Sequence, residues 1–137
     1  MPYCTVDDAQ LYYEVEGSGP PLLLIHGLGS SRRDWFAQVA HFAEFYRVIQ
    51  LDLRGHGRSE RPPGPYHIAQ FARDVAVVLR KLNAAPAHVV GLSMGGMVAL
   101  ELGADAPCLV KSLVVANSMA DARLHTWEDL WFYVSRR

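Results

Sequence analysis

The chain has 137 residues, of which 50% are hydrophobic and 20% are charged. This composition excludes an intrinsically disordered tail, and the length is typical of one globular domain. The 13 basic and 14 acidic side chains leave a net charge of −1, so nothing in the composition favours nucleic acid or an acidic membrane surface as a partner.

The first predicted elements are strands. Tyr3 to Val6 and Leu11 to Glu16 are separated by a short polar turn, which predicts a hairpin. After a cluster of glycine and proline, Leu22 to Ile25 is apolar on both faces, as in a strand inside a parallel sheet. This run is much shorter than the roughly 20 residues that span a membrane, and Met1 to Gln10 lacks the pattern of a signal peptide. We therefore expect a cytoplasmic protein that makes no contact with membranes.

Helices and strands alternate over the middle of the chain. Ser31 is predicted to cap a helix that contains Trp35. Val48 to Leu51 is predicted as the next strand, and Ile68 to Leu82 as a long amphipathic helix. The strand Val89-Val90 then leads into a further helix.

The last third of the chain continues the alternation. The helix after Val90 is predicted to end near Ala104, and Leu113 to Ala116 is a second strand that is apolar on both faces. Asp121 to Arg137 is predicted as an amphipathic helix with two tryptophans on its apolar face. The order of elements predicts an α/β fold, a mostly parallel sheet of about six strands flanked by helices.

A candidate nucleophile lies where a predicted strand meets a predicted helix. Gly91-Leu92-Ser93-Met94-Gly95 matches the pattern Gly-x-Ser-x-Gly, in which a tight turn raises the serine above the sheet. The glycines leave no Cβ to clash with neighbouring backbone, and the helix directs its N-terminal N–H groups at the site. The alternative is a glycine-rich turn with an ordinary capping serine.

A second candidate segment, His26-Gly27-Leu28-Gly29, follows another buried strand. A loop here can supply one backbone N–H to an oxyanion hole, with the Met94 N–H as the second donor. Leu28 is the expected donor because it follows the glycine that opens the turn, while His26 and Gly27 are expected to support it. The alternative is a plain glycine turn.

These motifs together resemble the α/β-hydrolase superfamily. The resemblance rests on three motifs in order, His26 to Gly29, Asp52 to Ser59 and Gly91 to Gly96. The run from Gly91 to Leu100, with Leu113 to Ser118 after it, is similar to the branch of esterases, 3-oxoadipate enol-lactonases and cofactor-free perhydrolases.

The resemblance implies a serine hydrolase of small carboxylic esters or lactones. It makes Ser93 the nucleophile and assigns the oxyanion-hole amides to Leu28 and Met94. It implies no cofactor and no metal, and Cys4 and Cys108 show no metal-ligand spacing.

The chain also departs from the family pattern. In this superfamily the triad acid and then the histidine follow the serine along the chain, and no residue up to Arg137 occupies either position. Residues 1–120 resemble the N-terminal part of the hydrolase core, and residues 121–137 resemble the start of a lid. The sequence therefore indicates a truncated protein, a fragment, or a half-size protein that assembles.

The remaining titratable side chains are expected to have structural roles, and the alternative is that one of the histidines serves as the base for Ser93. Asp52 ends a strand and Asp34 lies in the first turn of a helix. Four histidines are expected on the same edge of the sheet as Ser93: His26, His56, His67 and His125. Two are expected on the opposite edge: His41 and His88.

Two functions from different classes remain open on this reasoning. The first is hydrolysis through Ser93, and the second is a catalytically inactive half-domain that acts by binding or assembly. In either case the strand Leu113 to Ala116 has an unpaired apolar edge, and the helix Asp121 to Arg137 lacks a cover. We therefore expect a homo-oligomer joined through these segments.

Overall fold

A computed structural model describes residues 2–120 of the chain. The described part contains one sheet of six strands: β1 (Tyr3–Val6), β2 (Ala9–Glu16), β3 (Pro21–Ile25), β4 (Arg47–Leu51), β5 (Ala87–Leu92) and β6 (Val110–Ala116). Three α-helices accompany them: α1 (Phe36–Phe42), α2 (Ile68–Lys81) and α3 (Met94–Asp105). Short 3-10 turns precede α1 and β6, at Arg32–Trp35 and Pro107–Leu109.

The sheet has the order β1-β2-β4-β3-β5-β6. β3, β4, β5 and β6 are parallel, whereas β2 is antiparallel to both β1 and β4. The predicted hairpin is present, and Asp7 takes a positive φ of 49° in its turn. The prediction of an α/β fold with a mostly parallel six-stranded sheet is confirmed.

β3 lies at the centre of the sheet, and this explains why it is apolar on both faces. Leu22 to Ile25 are all buried. Leu23 and Ile25 belong to a core cluster shared with α2 and α3, whereas Leu22 and Leu24 pack with Trp35 on the other face. Because β3 and β5 are parallel and Ile25 pairs with Gly91, the segments that follow the two strands begin side by side.

Some element bounds differ from the prediction. β5 covers Ala87–Leu92 rather than Val89-Val90, because pairing with β3 on one side and β6 on the other extends it through His88 and Gly91. Ser31 does cap the helical segment, and its hydroxyl accepts from the Arg33 N–H, but the first turn is 3-10. The helix predicted from Asp121 to Arg137 lies outside the described residues. None of the helices in residues 2–120 has the length and apolar character needed to cross a membrane.

Within residues 2–120, β6 forms one edge of the sheet and is exposed on both faces. Leu113, Val114 and Val115 are 36%, 54% and 37% exposed. Apart from Lys111, the side chains of β6 carry no charge. Such an edge, with apolar side chains and unpaired backbone groups, favours pairing with another strand.

We propose that two copies of this chain pair through β6. An antiparallel pair about a two-fold axis at Leu113 would place Lys111 opposite Val115, which keeps the two lysines apart. Val114→Lys would introduce like charges into this pair and is expected to give a monomer where the wild type sediments as a dimer. The matched control is Val15→Lys, because Val15 is 38% exposed on β2, which is separated from β6 by three strands of the sheet. A wild-type protein that stays monomeric at high concentration would contradict the proposal.

Candidate active site

Ser93 occupies a sharp turn between β5 and α3. Its φ of +53° and ψ of −116° lie in a region that residues with a side chain rarely adopt. A Cβ on Gly91 would lie closer than 3.0 Å to the Gly95 backbone, and a Cβ on Gly95 would come equally close to the carbonyl oxygens of Ile25 and His26. The two glycines of the motif are therefore required by close backbone contacts, as the sequence predicted.

The backbone of Ser93 is fixed while its side chain is free. The Ser93 N–H donates to the carbonyl of Ala116 over 2.9 Å, and the Ser93 carbonyl accepts from the Gly96 N–H, also over 2.9 Å. Ser93 is exposed, and within residues 2–120 its hydroxyl makes no hydrogen bond. An accessible hydroxyl on a rigid backbone is the arrangement that nucleophilic attack on a substrate requires.

The loop after β3 lies against this turn. A Cβ on Gly27 would lie 3.6 Å from the Cβ of Ser93. The Ser30 N–H donates to the Gly27 carbonyl over 3.4 Å, and Gly29 supplies the positive φ of 71° inside this turn. The Leu28 side chain is 75% exposed. The structure thus brings together the two segments that the sequence predicted to form one site.

His26 is buried and fastens this loop. Its Nδ1–H donates to the Gly27 carbonyl over 2.7 Å, and its Nε2 accepts from the Leu53 N–H over 3.0 Å. The second bond requires a neutral ring with the proton on Nδ1. The Gly27 carbonyl and the Leu28 N–H belong to one planar trans peptide, in which they point in opposite directions. By holding the carbonyl, His26 therefore fixes the direction of the Leu28 N–H.

The neutral state of His26 has a consequence for stability. Burial is the main reason that the pKa of His26 lies below its ordinary value. The His56 ring, 5.1 Å away, acts in the same direction, whereas the bond to Gly27 and the charge of Asp52 act against it. The unfolded chain binds this proton at about pH 6.5 and the folded chain only at lower pH. The free energy of unfolding should therefore fall as the pH drops below about 6.5.

We expect His26→Asn to flatten that dependence. Asparagine can still donate to the Gly27 carbonyl but does not titrate. Chemical denaturation at a series of pH values from about 7 to about 5 should show a slope smaller than the wild type's by up to one proton. His67→Asn is the matched control, because His67 is exposed at the start of α2 and caps no N–H with its side chain. Equal slopes for His26→Asn and wild type would show that His26 does not titrate as described.

Asp52 not only follows the end of a strand but also holds two loops together. Its buried carboxylate accepts from the Arg32 N–H over 2.7 Å and from the Arg58 N–H over 2.9 Å. It thereby connects the segments after β3 and β4. Gly57 has a positive φ of 51°, and a Cβ there would overlap the Asp52 carboxylate. In the sequence, only Gly57, five residues after Asp52, indicates this role of the aspartate, and the pattern alone does not reveal the contact.

No histidine in residues 2–120 makes a hydrogen bond with the Ser93 side chain. Both ring nitrogens of His26 are already engaged, and His88 lies at the opposite edge, where its Nδ1 bonds the Ser112 hydroxyl over 2.7 Å. His56 bonds the Arg54 carbonyl through Nδ1, and His67 is exposed. His26, His56 and His88 thus have structural hydrogen bonds, and His125 lies outside the described residues.

The other predicted residues are accounted for as follows. Asp34 lies in the first helical turn and accepts from the Ser30 hydroxyl, while Met94 is the first residue of α3 and is buried. In the described part of the chain, His, Cys, Asp and Glu side chains form no group of three that could hold a metal ion.

Comparisons with known proteins agree on one family. A model described as the alpha/beta hydrolase fold matches residues 20–135. The putative carbamate hydrolase RutD of Azorhizobium caulinodans is 43% identical over 122 residues, which is 89% of this chain. The 3-oxoadipate enol-lactonase 2 of Acinetobacter baylyi is 37% identical over 118 residues, or 85% of this chain.

A solved structure gives the same picture. The enol-lactonase from Burkholderia xenovorans LB400 superposes with a TM-score of 0.84 and 36% identity, over 87% of this chain and 47% of that one. The alignments with the two sequence relatives cover 46% and 44% of their lengths. The chain therefore spans about half the length of the relatives that it matches.

Proposed function

This chain belongs to the α/β hydrolase fold family, and from that premise we propose that Ser93 is the nucleophile of a hydrolase that acts on small carboxylic esters or lactones. The observation that carries the proposal is the Ser93 turn itself. An exposed hydroxyl, free of hydrogen bonds within residues 2–120, stands on a strained backbone directly beside the Gly27–Leu28 peptide. Backbone strain of this kind costs about 1–3 kcal/mol and is concentrated at functional sites.

The reaction would proceed in two steps. The Ser93 oxygen attacks the substrate carbonyl, the bond to the leaving oxygen breaks, and the serine proton passes to that oxygen, which gives an acyl-serine and an alcohol. Water then attacks the acyl group, the bond to the Ser93 oxygen breaks, and one proton of the water returns to that oxygen as the carboxylic acid is released. The tetrahedral intermediate of each step carries a negative oxygen that needs hydrogen-bond donors.

The Leu28 and Met94 N–H groups are the proposed donors to that oxygen. Within residues 2–120 neither of them donates to a protein acceptor. The Met94 N–H also opens helix α3, whose dipole favours negative charge at this end. The two peptides are adjacent, since the loop containing Gly27 packs on Ser93.

Activation of the serine needs a base. The family places the acid and the histidine after the nucleophile in the chain, and no histidine of residues 2–120 bonds the Ser93 hydroxyl. Without that histidine we expect slow acylation of Ser93, which an activated ester with a good leaving group, such as p-nitrophenyl acetate, makes measurable.

The substrate class follows from the relatives. One is a putative carbamate hydrolase and two are enol-lactonases, and each name denotes hydrolysis of a bond to a carbonyl carbon. A serine nucleophile with two amide donors suits that chemistry. A small carboxylic ester or lactone is accordingly the proposed substrate.

The test is covalent labelling of this chain with a small fluorophosphonate, followed by intact mass and peptide mapping. We expect a single adduct on Ser93, none in Ser93→Ala, and hydrolysis of p-nitrophenyl acetate that is lost in the same variant. Ser18→Ala is the matched control, because Ser18 is an exposed serine in the loop before β3 and should leave both signals unchanged. Labelling spread over exposed serines, with equal ester hydrolysis by wild type and Ser93→Ala, would overturn the proposal and favour an inactive half-domain that acts by binding.

A further inference from the structure

The last residue of β6 and the segment that follows it bind both polar backbone groups of Ser93. The Ser93 N–H donates to the Ala116 carbonyl over 2.9 Å, and the Ser118 hydroxyl donates to the Ser93 carbonyl over 2.5 Å. Asn117, between them, has a positive φ of 46°, which turns the chain back toward the Ser93 turn. The N–H and the carbonyl of the proposed nucleophile are therefore both hydrogen-bonded to residues that lie about 25 positions further along the chain.

The absence of a side chain at Gly96 leaves the space that Ser118 occupies. A Cβ on Gly96 would lie 2.5 Å from the Cβ of Ser118 and 2.6 Å from its hydroxyl oxygen. Gly96 lies outside the Gly-x-Ser-x-Gly pattern, and the turn around Ser93 does not by itself explain it. The contact with Ser118 does.

The bond from Ser118 also acts on the proposed oxyanion hole. The Ser93 carbonyl and the Met94 N–H belong to one planar trans peptide and point in opposite directions. A donor that holds the carbonyl therefore fixes the direction of the N–H. His26 does the same for the Gly27–Leu28 peptide from the other side of the site.

We propose that Ser118 is a positioning residue: its hydroxyl holds the Ser93–Met94 peptide in the orientation that aims the Met94 N–H at the substrate oxygen. This inference rests on the proposed function of Ser93. The Gly96 and Met97 N–H groups bond the same carbonyl, over 2.9 and 3.3 Å, but both belong to α3 and move with it. Ser118 connects this peptide to β6 instead, and so fixes the turn relative to the sheet.

The experiment compares Ser118→Ala, Ser118→Thr and Ser112→Ala by fluorophosphonate labelling kinetics and amide hydrogen exchange. Ser112 is the matched control, since it lies on β6 and its hydroxyl bonds His88 of β5 at the opposite edge of the sheet. Ser118→Ala should slow the covalent step about fivefold, the value of one hydrogen bond, with an unchanged binding constant for the reagent. Ser118→Thr should restore the rate, and Ser112→Ala should match the wild type.

Hydrogen exchange separates this inference from the proposed function. The Gly96 and Met97 amides should exchange about fivefold faster in Ser118→Ala than in wild type or Ser112→Ala. Labelling of Ser93 at the wild-type rate in Ser118→Ala, or no rescue by Ser118→Thr, would overturn the role of Ser118. If wild-type Ser93 is not labelled, the proposed nucleophile fails, and the exchange rates alone decide: unchanged rates overturn the inference and faster rates support it.

Discussion

Replacing Gly95 with alanine is expected to destabilise the protein by about 3 kcal/mol and to abolish labelling of Ser93. The new Cβ would come closer than 3.0 Å to the carbonyl oxygens of Ile25 and His26. These are backbone atoms at the end of the buried central strand, so they cannot turn aside as a side chain would. Either α3 moves away from β3 or the strand end shifts, and both movements separate Ser93 from the Gly27–Leu28 peptide.

The matched control is Gly103→Ala in the same helix. There the nearest obstacle to a Cβ is the end of the Leu113 side chain at 2.9 Å, which is free to change rotamer. Alanine is preferred to glycine inside a helix by about 1 kcal/mol, so this variant should be neutral or slightly more stable. Urea denaturation measures both changes. A free energy of unfolding within about 0.5 kcal/mol of wild type for Gly95→Ala would contradict the packing described.

Asp74→Ala is expected to cost about 4 kcal/mol of stability. Asp74 is fully buried in α2 and accepts two hydrogen bonds from Arg54, from Nε over 2.5 Å and from Nη2 over 2.9 Å. Arg54 is itself 4% exposed, and the bond to Asp74 is the main reason that its pKa is raised. Removal of the carboxylate would leave a buried guanidinium whose remaining ionic partner is Asp8, an exposed side chain.

Two further variants identify the cause of that loss. Asp8→Ala removes only the exposed partner, 3.1 Å from Arg54, and should cost less than about 1 kcal/mol. Replacing Arg54 and Asp74 together with leucine removes both charges and should recover much of the stability lost in Asp74→Ala. The comparison is made by thermal and urea denaturation. A double variant no more stable than Asp74→Ala would show that packing, and not the unpaired charge, explains the loss.

The features that the sequence predicted correctly depend on local pattern. β3 and α2 are recognisable because a strand buried on both faces and a helix with one apolar face each leave a period in the sequence. The turn at Ser93 is recognisable because its two glycines are required by close backbone contacts, which they make within a few residues or with the neighbouring strand.

The features that it did not predict depend on contacts between distant residues. The bonds from Asp52 to Arg32 cross 20 positions, and the bond from Ser118 to Ser93 crosses 25. A serine or an aspartate in a polar segment carries no periodic signal, so only the fold shows which backbone group it reaches. The full extent of β5 was missed for a similar reason, since pairing on both sides determines its ends.

The hydrogen bonds from His26 and Ser118 to backbone carbonyls have a consequence for which positions near the site can change in evolution. Both side chains act on backbone carbonyls, so the two proposed donor N–H groups are oriented without any contribution from the side chains of Leu28 and Met94. Substitution of either residue should therefore leave the direction of its N–H unchanged. The Leu28 side chain, 75% exposed, can therefore be replaced while the proposed donor amides stay in place. In the proposed site, the side chain at position 28 and the direction of its N–H are set by separate residues, so one can change by mutation without loss of the other.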